Sequence, residues 1–246
     1  MALNTPIYSI VIPHYKTKEI TSLCLDSLRK YSELKMEVIV VDNNSADEST
    51  IMLRKLSWIR LIENDTKHTG ADAHRDALDI GVRAAKGSYV FLFHSDTIVT
   101  SYGWDRHFIE LIKKYNADGI TTTIRNPNPY ASTLQKLACR LRESKTFFNY
   151  TLDVTNQKVM SYCFLLKREV LEGYSFLDAK GDVADDLYKR ITCSGGKMVL
   201  LGRLGLEARV WHPSNVTSLA SGLINDVTIR NKLEKRLSQF TMKVNK

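Results

Sequence analysis

Proline and glycine are scarce in this 246-residue chain, at 5 and 12, which argues against long disordered linkers. Cysteine is scarcer still, at Cys24, Cys139, Cys163 and Cys193. No two form a C-x-x-C pair, which disfavours a cysteine-built zinc site. Met1 to Pro6 is too short and polar for a secretory signal, so the thiols are expected to be reduced. No apolar run approaches the roughly 20 residues of a membrane span. These absences lead to an expected cytoplasmic location, with a peripheral position on a membrane as the alternative. No internal repeat is evident. A glycine-rich phosphate loop is also missing. Gly195-Gly196 reads as a helix stop, and Pro13-His14-Tyr15-Lys16-Thr17 after the first apolar run holds no glycine. That disfavours a nucleotidyltransferase. Ser9 and Ser214 lack the setting of a nucleophile elbow.

What is present is an ordinary globular composition, 43% hydrophobic, with a formal net charge of +8. The basic residues are spread along the chain rather than clustered, so no nucleic-acid partner is expected. A basic surface also suits a phosphate-bearing substrate.

The first half alternates strand and helix signals. Tyr8–Ile12, Glu37–Val41, Ile59–Ile62 and Tyr89–Phe93 read as strands. Glu19–Tyr31, Ser45–Leu56 and Gly70–Ala85 read as helices, with Ser45 as a candidate N-cap. This order predicts a parallel sheet with right-handed crossovers. The second half predicts helices over Trp104–Tyr115 and Ala184–Cys193. Its expected strands are Gly119–Ile124, Ser161–Leu166, Lys197–Leu201 and Ala208–Trp211. Arg125–Lys158, with its Asn126-Pro127-Asn128-Pro129 turn signal, basic residues and aromatics, is expected to be a mobile lid. Asp226–Lys246 is expected to be a basic helical tail whose apolar stripe packs on the core or on a second copy, or contacts a membrane surface. One domain is expected over 1–246: a donor half to about residue 100, an acceptor and catalytic half over 101–225, then the tail.

Ligands on parallel sheets bind beyond the carboxyl ends of the strands. Asp42 follows Val38–Val41, and Asp96 follows Tyr89–Phe93 in His94-Ser95-Asp96-Thr97. A carboxylate there can bond a base or ribose, ligate a hard cation, or merely cap a helix. His68, His74 and His107 show no metal-ligand spacing with one another.

The ordered set of segments resembles the inverting family 2 glycosyltransferases, from about Tyr8 to His212. Ile10-Val11-Ile12-Pro13-His14-Tyr15 is similar to that family's opening strand. Glu37–Asp42 with Asn43-Asn44-Ser45 is similar to its second strand and nucleotide-binding aspartate. Ala73-His74-Arg75-Asp76 stands where the family has an Ala-Arg-Asn-like element. Phe91-Leu92-Phe93-His94-Ser95-Asp96 resembles the strand leading into D-x-D, with histidine in the first position. Tyr162–Leu171 and Phe176-Leu177-Asp178 also fit. Asp185-Asp186-Leu187 resembles the segment of the catalytic acid, although Val183-Ala184 stand where the family often has Glu-Asp. Ala208-Arg209-Val210-Trp211-His212 resembles a late strand ending in histidine.

The resemblance implies an α/β GT-A fold, with a Rossmann-like, mostly parallel sheet flanked by helices. It implies transfer of a hexose, or a deoxyhexose as in rhamnosyltransferase-like members, from a UDP-, GDP- or dTDP-sugar to a glycan or glycoconjugate hydroxyl. It assigns Mn²⁺ or Mg²⁺ to Asp96 and His212. It assigns the donor nucleotide to Pro13, Tyr15, Asp42, Asn44, Arg75, His94 and Ser95. His94 is able to bond a ribose hydroxyl or ligate a metal. The base falls to Asp185, with Asp186 as second choice. A nucleotidyltransferase and a non-catalytic nucleotide-sugar-binding module are the rival readings.

Overall fold

A computed structural model describes residues 5–122, 151–152, 159–201 and 209–212. The tail Asp226–Lys246 and nearly all of Arg125–Lys158 lie outside the described residues. Thr151–Leu152 of the latter form a short strand.

The elements in chain order are β1 (Tyr8–His14), α1 (Lys18–Tyr31), β2 (Met36–Asp42), α2 (Glu48–Arg54), β3 (Arg60–Glu63), α3 (Gly70–Ala84), β4 (Tyr89–Phe93) and β5 (Ile98–Val99). There follow α4 (Trp104–Lys114), β6 (Gly119–Thr122), β7 (Thr151–Leu152), β8 (Met160–Lys167), a 3₁₀ turn (Arg168–Leu171), α5 (Val183–Cys193), β9 (Met198–Leu201) and β10 (Val210–Trp211). Among the described residues, eight strands form one sheet in the order β3-β2-β1-β4-β8-β6-β9-β7. The first four run parallel, as the βαβ alternation predicts. β8 is antiparallel to both β4 and β6, and β6 and β9 are again parallel. β5 and β10 form a separate antiparallel pair.

The central strands are apolar on both faces because helices cover both. Ile10, Ile12, Phe91 and Phe93 join Leu25, Leu28, Trp104 and Phe108 on the α1 and α4 side. Val11, Val41, Leu92 and Phe164 join Ala77, Leu78, Leu187 and Ile191 on the α3 and α5 side. Pro13 sits beyond the β1–β4 pairing, which ends at Val11↔Leu92, so its missing N–H costs no bond on that side.

Most element ends lie within two residues of the sequence expectation, and the start of the second helix departs further. The second helix starts at Glu48, not Ser45, and Asp47 is its N-cap, accepting from Ser49 N at 2.8 Å. Asn44 and Ala46 both have positive φ, 55° and 48°, which helical backbone does not allow. Ser45 Oγ instead donates to Asp42 and accepts from Lys16 N.

Two contacts fix the helices that matter for the site. Gly81 lets α3 lie directly on β1 and β2: a Cβ there would stand 2.3 Å from Val11 Cγ1 and 3.3 Å from Val41 Cγ2. Both neighbours are stiff β-branched side chains in buried strands. Gly81→Ala is therefore expected to destabilise the fold by about 1–3 kcal/mol, read by denaturant unfolding. An unchanged midpoint would contradict this packing. Asp79, also on α3, is buried and accepts from Phe176 N and Leu177 N at 2.9 and 3.2 Å. That anchors the loop leading into α5.

Candidate active site

The carboxyl ends of β1 to β4 lie along one sheet edge, and the chain leaving β4 turns sharply there. His94 N donates to Tyr162 O at 3.2 Å, Thr97 N to His94 O at 3.0 Å, and Thr97 Oγ1 to Tyr162 O at 2.9 Å. The turn feeds β5, whose Ile98 pairs with Trp211 of β10. This pairing of two short strands carries His212 back over the turn. It brings His212 to His94, 118 positions away in sequence.

His94, Asp96 and His212 thereby converge, with one ligand atom of each within 4.8 Å of the others. His212 Nε2 lies 2.9 Å from Asp96 Oδ1 and 3.3 Å from His94 Nδ1. Asp96 is buried. The His212 ring stacks on Tyr162 at 4.4 Å and 4°. Ser161 Oγ lies 3.0 Å from His94 Nε2. With His94 Nε2–H donating to that hydroxyl, Nδ1 keeps its lone pair toward the cluster. Burial, with the neighbouring charges of His212 and His74 in support, pushes the His94 pKa down to about 3 against the opposing pull of Asp96. The ring is then a neutral imidazole, the form that binds metals.

These donors fit a divalent cation. Ligand atoms held at about 2.1 Å and at angles of 90–109° stand about 3.0–3.4 Å apart, which matches the spacings on both sides of His212 Nε2. The cluster therefore brings together the Asp96 and His212 that the resemblance implies, and adds His94.

The other expected residues are placed as follows. Ser95 is buried in the turn. Tyr15 is exposed just past β1. Asp42 is buried and accepts from Ser45 Oγ, and from Thr50 Oγ1 at 2.7 Å. Asp42 and Asn44 line a cleft of about 570 Å³ that also includes Thr50, Arg54, Glu63 and Asn64. Arg75, near the start of α3, bonds Asp72 Oδ1 at 2.9 Å and the Gly181 carbonyl at 2.5 Å. That second bond ties α3 to the residue before the N-cap of α5.

At α5 the acids part company. Asp182 caps the helix, accepting from Ala184 N at 2.9 Å. Asp185 Oδ1 accepts from Val159 N at 3.0 Å, just ahead of β8. Asp186 accepts from Tyr174 Oη at 2.7 Å and Lys180 N at 3.2 Å.

Sequence spacing missed three neighbours of the cluster. His74 packs edge-on against His94 at 5.4 Å. Burial holds its pKa down at about 4, with Asp182 and Asp96 pulling upward and Arg75 downward. Asp182 thus exerts its field at the site, and Ser161 orients His94. The Ala73-His74-Arg75 motif was the available signal for His74. Nothing in the sequence marked Ser161.

Residues 9–175, more than half of the chain, match the family described as Glycosyl transferase family 2. The chain belongs to that family. Among curated relatives, the poly(ribitol-phosphate) beta-glucosyltransferase of Bacillus spizizenii is 34% identical over 99 residues, covering 38% of this chain and 15% of the relative. The glycosyltransferase GlyG of Streptococcus pneumoniae is 28% identical over 97 residues, covering 38% and 31%. The chain thus aligns with less than a third of either relative. Among solved structures, S. aureus TarS 1–349 superposes with a TM-score of 0.62 at 16% identity, covering 85% of this chain and 61% of that one. The mannosyltransferase PcManGT of Pyrobaculum calidifontis, in complex with GDP-Man and Mn²⁺, superposes at 0.55 with 18% identity, covering 81% and 58%. These likenesses establish the α/β GT-A fold of this family 2 chain. Among its described residues, no helix is long and apolar enough to cross a membrane.

Proposed function

We propose that this family 2 chain transfers a hexose or deoxyhexose from a nucleotide-diphosphate sugar to a hydroxyl of a glycan or glycoconjugate, with inversion and with a divalent cation at Asp96 and His212. The observation that carries the reading is the approach of His212 to buried Asp96 at the carboxyl edge of a GT-A sheet. Solved structures of this fold that were captured with UDP, with UDP-GlcNAc and with GDP-Man plus Mn²⁺ support the donor class.

The two ends of the donor separate by charge. Among the described residues, the cleft beside Asp42 is lined by Asp47, Glu48, Glu63 and Asp65 against one cation, Arg54. Such a lining repels phosphate and suits a base and ribose, which carry hydrogen-bond donors. The diphosphate belongs at the other end, near Arg75 and the His–Asp cluster. A cation held there supplies Lewis-acid stabilisation of the charge that develops on the leaving diphosphate. Pro13, Tyr15 and Asn44 lie where the backbone and side chains of the β1 and β2 ends would frame the nucleoside.

A base must take the acceptor proton as the hydroxyl oxygen attacks the anomeric carbon from the face opposite the leaving group. One such displacement inverts that carbon. We place the base at Asp185, with Asp186 second, as the motif implies. Asp186 is the more committed to structure, since its two oxygens accept from Tyr174 and Lys180. A specific observation also favours Asp182: it is exposed and its charge acts on His74 of the site.

Release of nucleoside diphosphate from UDP-, GDP- and dTDP-sugars, with and without Mn²⁺, tests the proposal. Metal-stimulated release from at least one donor is the expected result. Absence of binding and turnover with every donor would favour the non-catalytic module. Asp42→Ala is expected to weaken binding of the free nucleoside diphosphate, and also to lower stability by about 1–3 kcal/mol through two orphaned hydroxyl contacts. Titration and unfolding separate the effects. Unchanged nucleotide affinity would make Asp42 purely a brace for the β2–α2 turn.

A further inference from the structure

The D-x-D element of the family is all oxygen, whereas this chain places an imidazole at its first position, and that imidazole points into the cluster. Three observations bear on what it does there. His94 Nδ1 is 3.3 Å from His212 Nε2, a distance suited to two ligands of one ion. Its other nitrogen is engaged by Ser161 Oγ at 3.0 Å, the arrangement by which a ligand histidine is oriented and its tautomer set. The His74 ring, edge-on at 5.4 Å, and the His212 ring, at 5.2 Å, both pack against the His94 ring.

Resting on the reading above, we propose that His94 is itself a metal ligand rather than a ribose contact, so that two imidazoles and one carboxylate hold a divalent transition ion in preference to magnesium, before any nucleotide arrives. The chemistry follows from the donor set. Magnesium is a hard ion that favours oxygen, keeps much of its water, and is usually held by one or two carboxylates together with substrate phosphates. Imidazole nitrogen suits later first-row ions, whose affinities rise from Mn²⁺ toward Zn²⁺ and Cu²⁺. An Asp-x-Asp site leans on the donor's own phosphates to complete its ion. Three protein ligands already converge here, so the ion is held by the free protein.

The test is binding of the metal alone. Mn²⁺ and Mg²⁺ are titrated calorimetrically into chelator-treated protein without nucleotide, and the Mn²⁺-loaded protein is examined by pulsed electron paramagnetic resonance for nitrogen coupling. The wild type is expected to bind Mn²⁺ more than about tenfold tighter than Mg²⁺ and to show coupling from two imidazoles. His94→Ala is expected to lose about 10–100-fold in Mn²⁺ affinity and one of the two couplings. His94→Asp, which restores the all-oxygen element, is expected to narrow the gap between Mn²⁺ and Mg²⁺. Equal wild-type affinity for the two ions, coupling from a single imidazole, or undiminished Mn²⁺ affinity in folded His94→Ala would each overturn the proposal. The wild-type spectrum decides the matter even where a variant fails to fold. A donor titration with Mn²⁺ runs in parallel. Donor binding without binding of the metal alone would refute this inference and leave the proposed function standing. Binding of the metal alone without binding of any donor would do the reverse.

Discussion

Asp96→Ala is expected to abolish metal-supported donor binding. Asp96 is the only carboxylate among the three converging ligands, so it is the group that offsets the charge of a divalent ion. Its removal leaves two imidazoles, a set with no anionic partner for the metal. A loss of at least about 100-fold in donor affinity in the presence of Mn²⁺ is expected, since even groups behind the ligands cost 10–100-fold. Donor binding without metal should change little. Asp96 is buried, so the matched variant Asp96→Asn, which keeps the shape and removes the charge, serves as the control. Calorimetry with a preferred donor is the measurement. Wild-type affinity and wild-type metal response in either folded variant would remove Asp96 from the site.

Asp185→Asn is expected to cut turnover by about 10²–10⁴-fold while leaving donor affinity near its wild-type value, the range for loss of a general base. The geometry explains why the amide is the right substitution. Asp185 Oδ1 accepts from Val159 N at 3.0 Å, and an asparagine oxygen can keep that bond. What it loses is the ability to take a proton. The same change at Asp182 preserves its capping bond to Ala184 N. A collapse of turnover in Asp182→Asn, with Asp185→Asn active, would move the base to the N-cap, where the field on His74 points. If neither change slows transfer, the base does not lie on α5.

The parts of the fold that were legible in the sequence are those fixed by local pattern. β2 and β4 are nearly continuous apolar runs, which only a strand covered on both faces explains. β8 was legible as a strand but not in direction. Its antiparallel insertion between β4 and β6 depends on where the chain returns, not on its residues. The start of α2 was misread because Ser45 looks like a cap, while Asn44 and Ala46 hold the left-handed conformations that delay the helix to Glu48. At the site, Asp96 stood out because it follows the strongest strand. Its partnership with His212 came only through family resemblance, since the two meet by way of a two-residue strand pair too short to announce itself. His74 and Ser161 approach His94 from α3 and β8, and one-dimensional spacing carries no trace of either contact.

The most direct test of the central claim is a thermal-shift panel of UDP-, GDP- and dTDP-sugars, each with and without Mn²⁺. A ligand present at 100 times its Kd stabilises the native state by about 2.7 kcal/mol, enough to raise the melting temperature measurably. At least one nucleotide sugar is predicted to raise it, by more with Mn²⁺ than without, and the increment from Mn²⁺ should vanish in Asp96→Asn. A flat response to every donor, with and without the metal, would contradict the account.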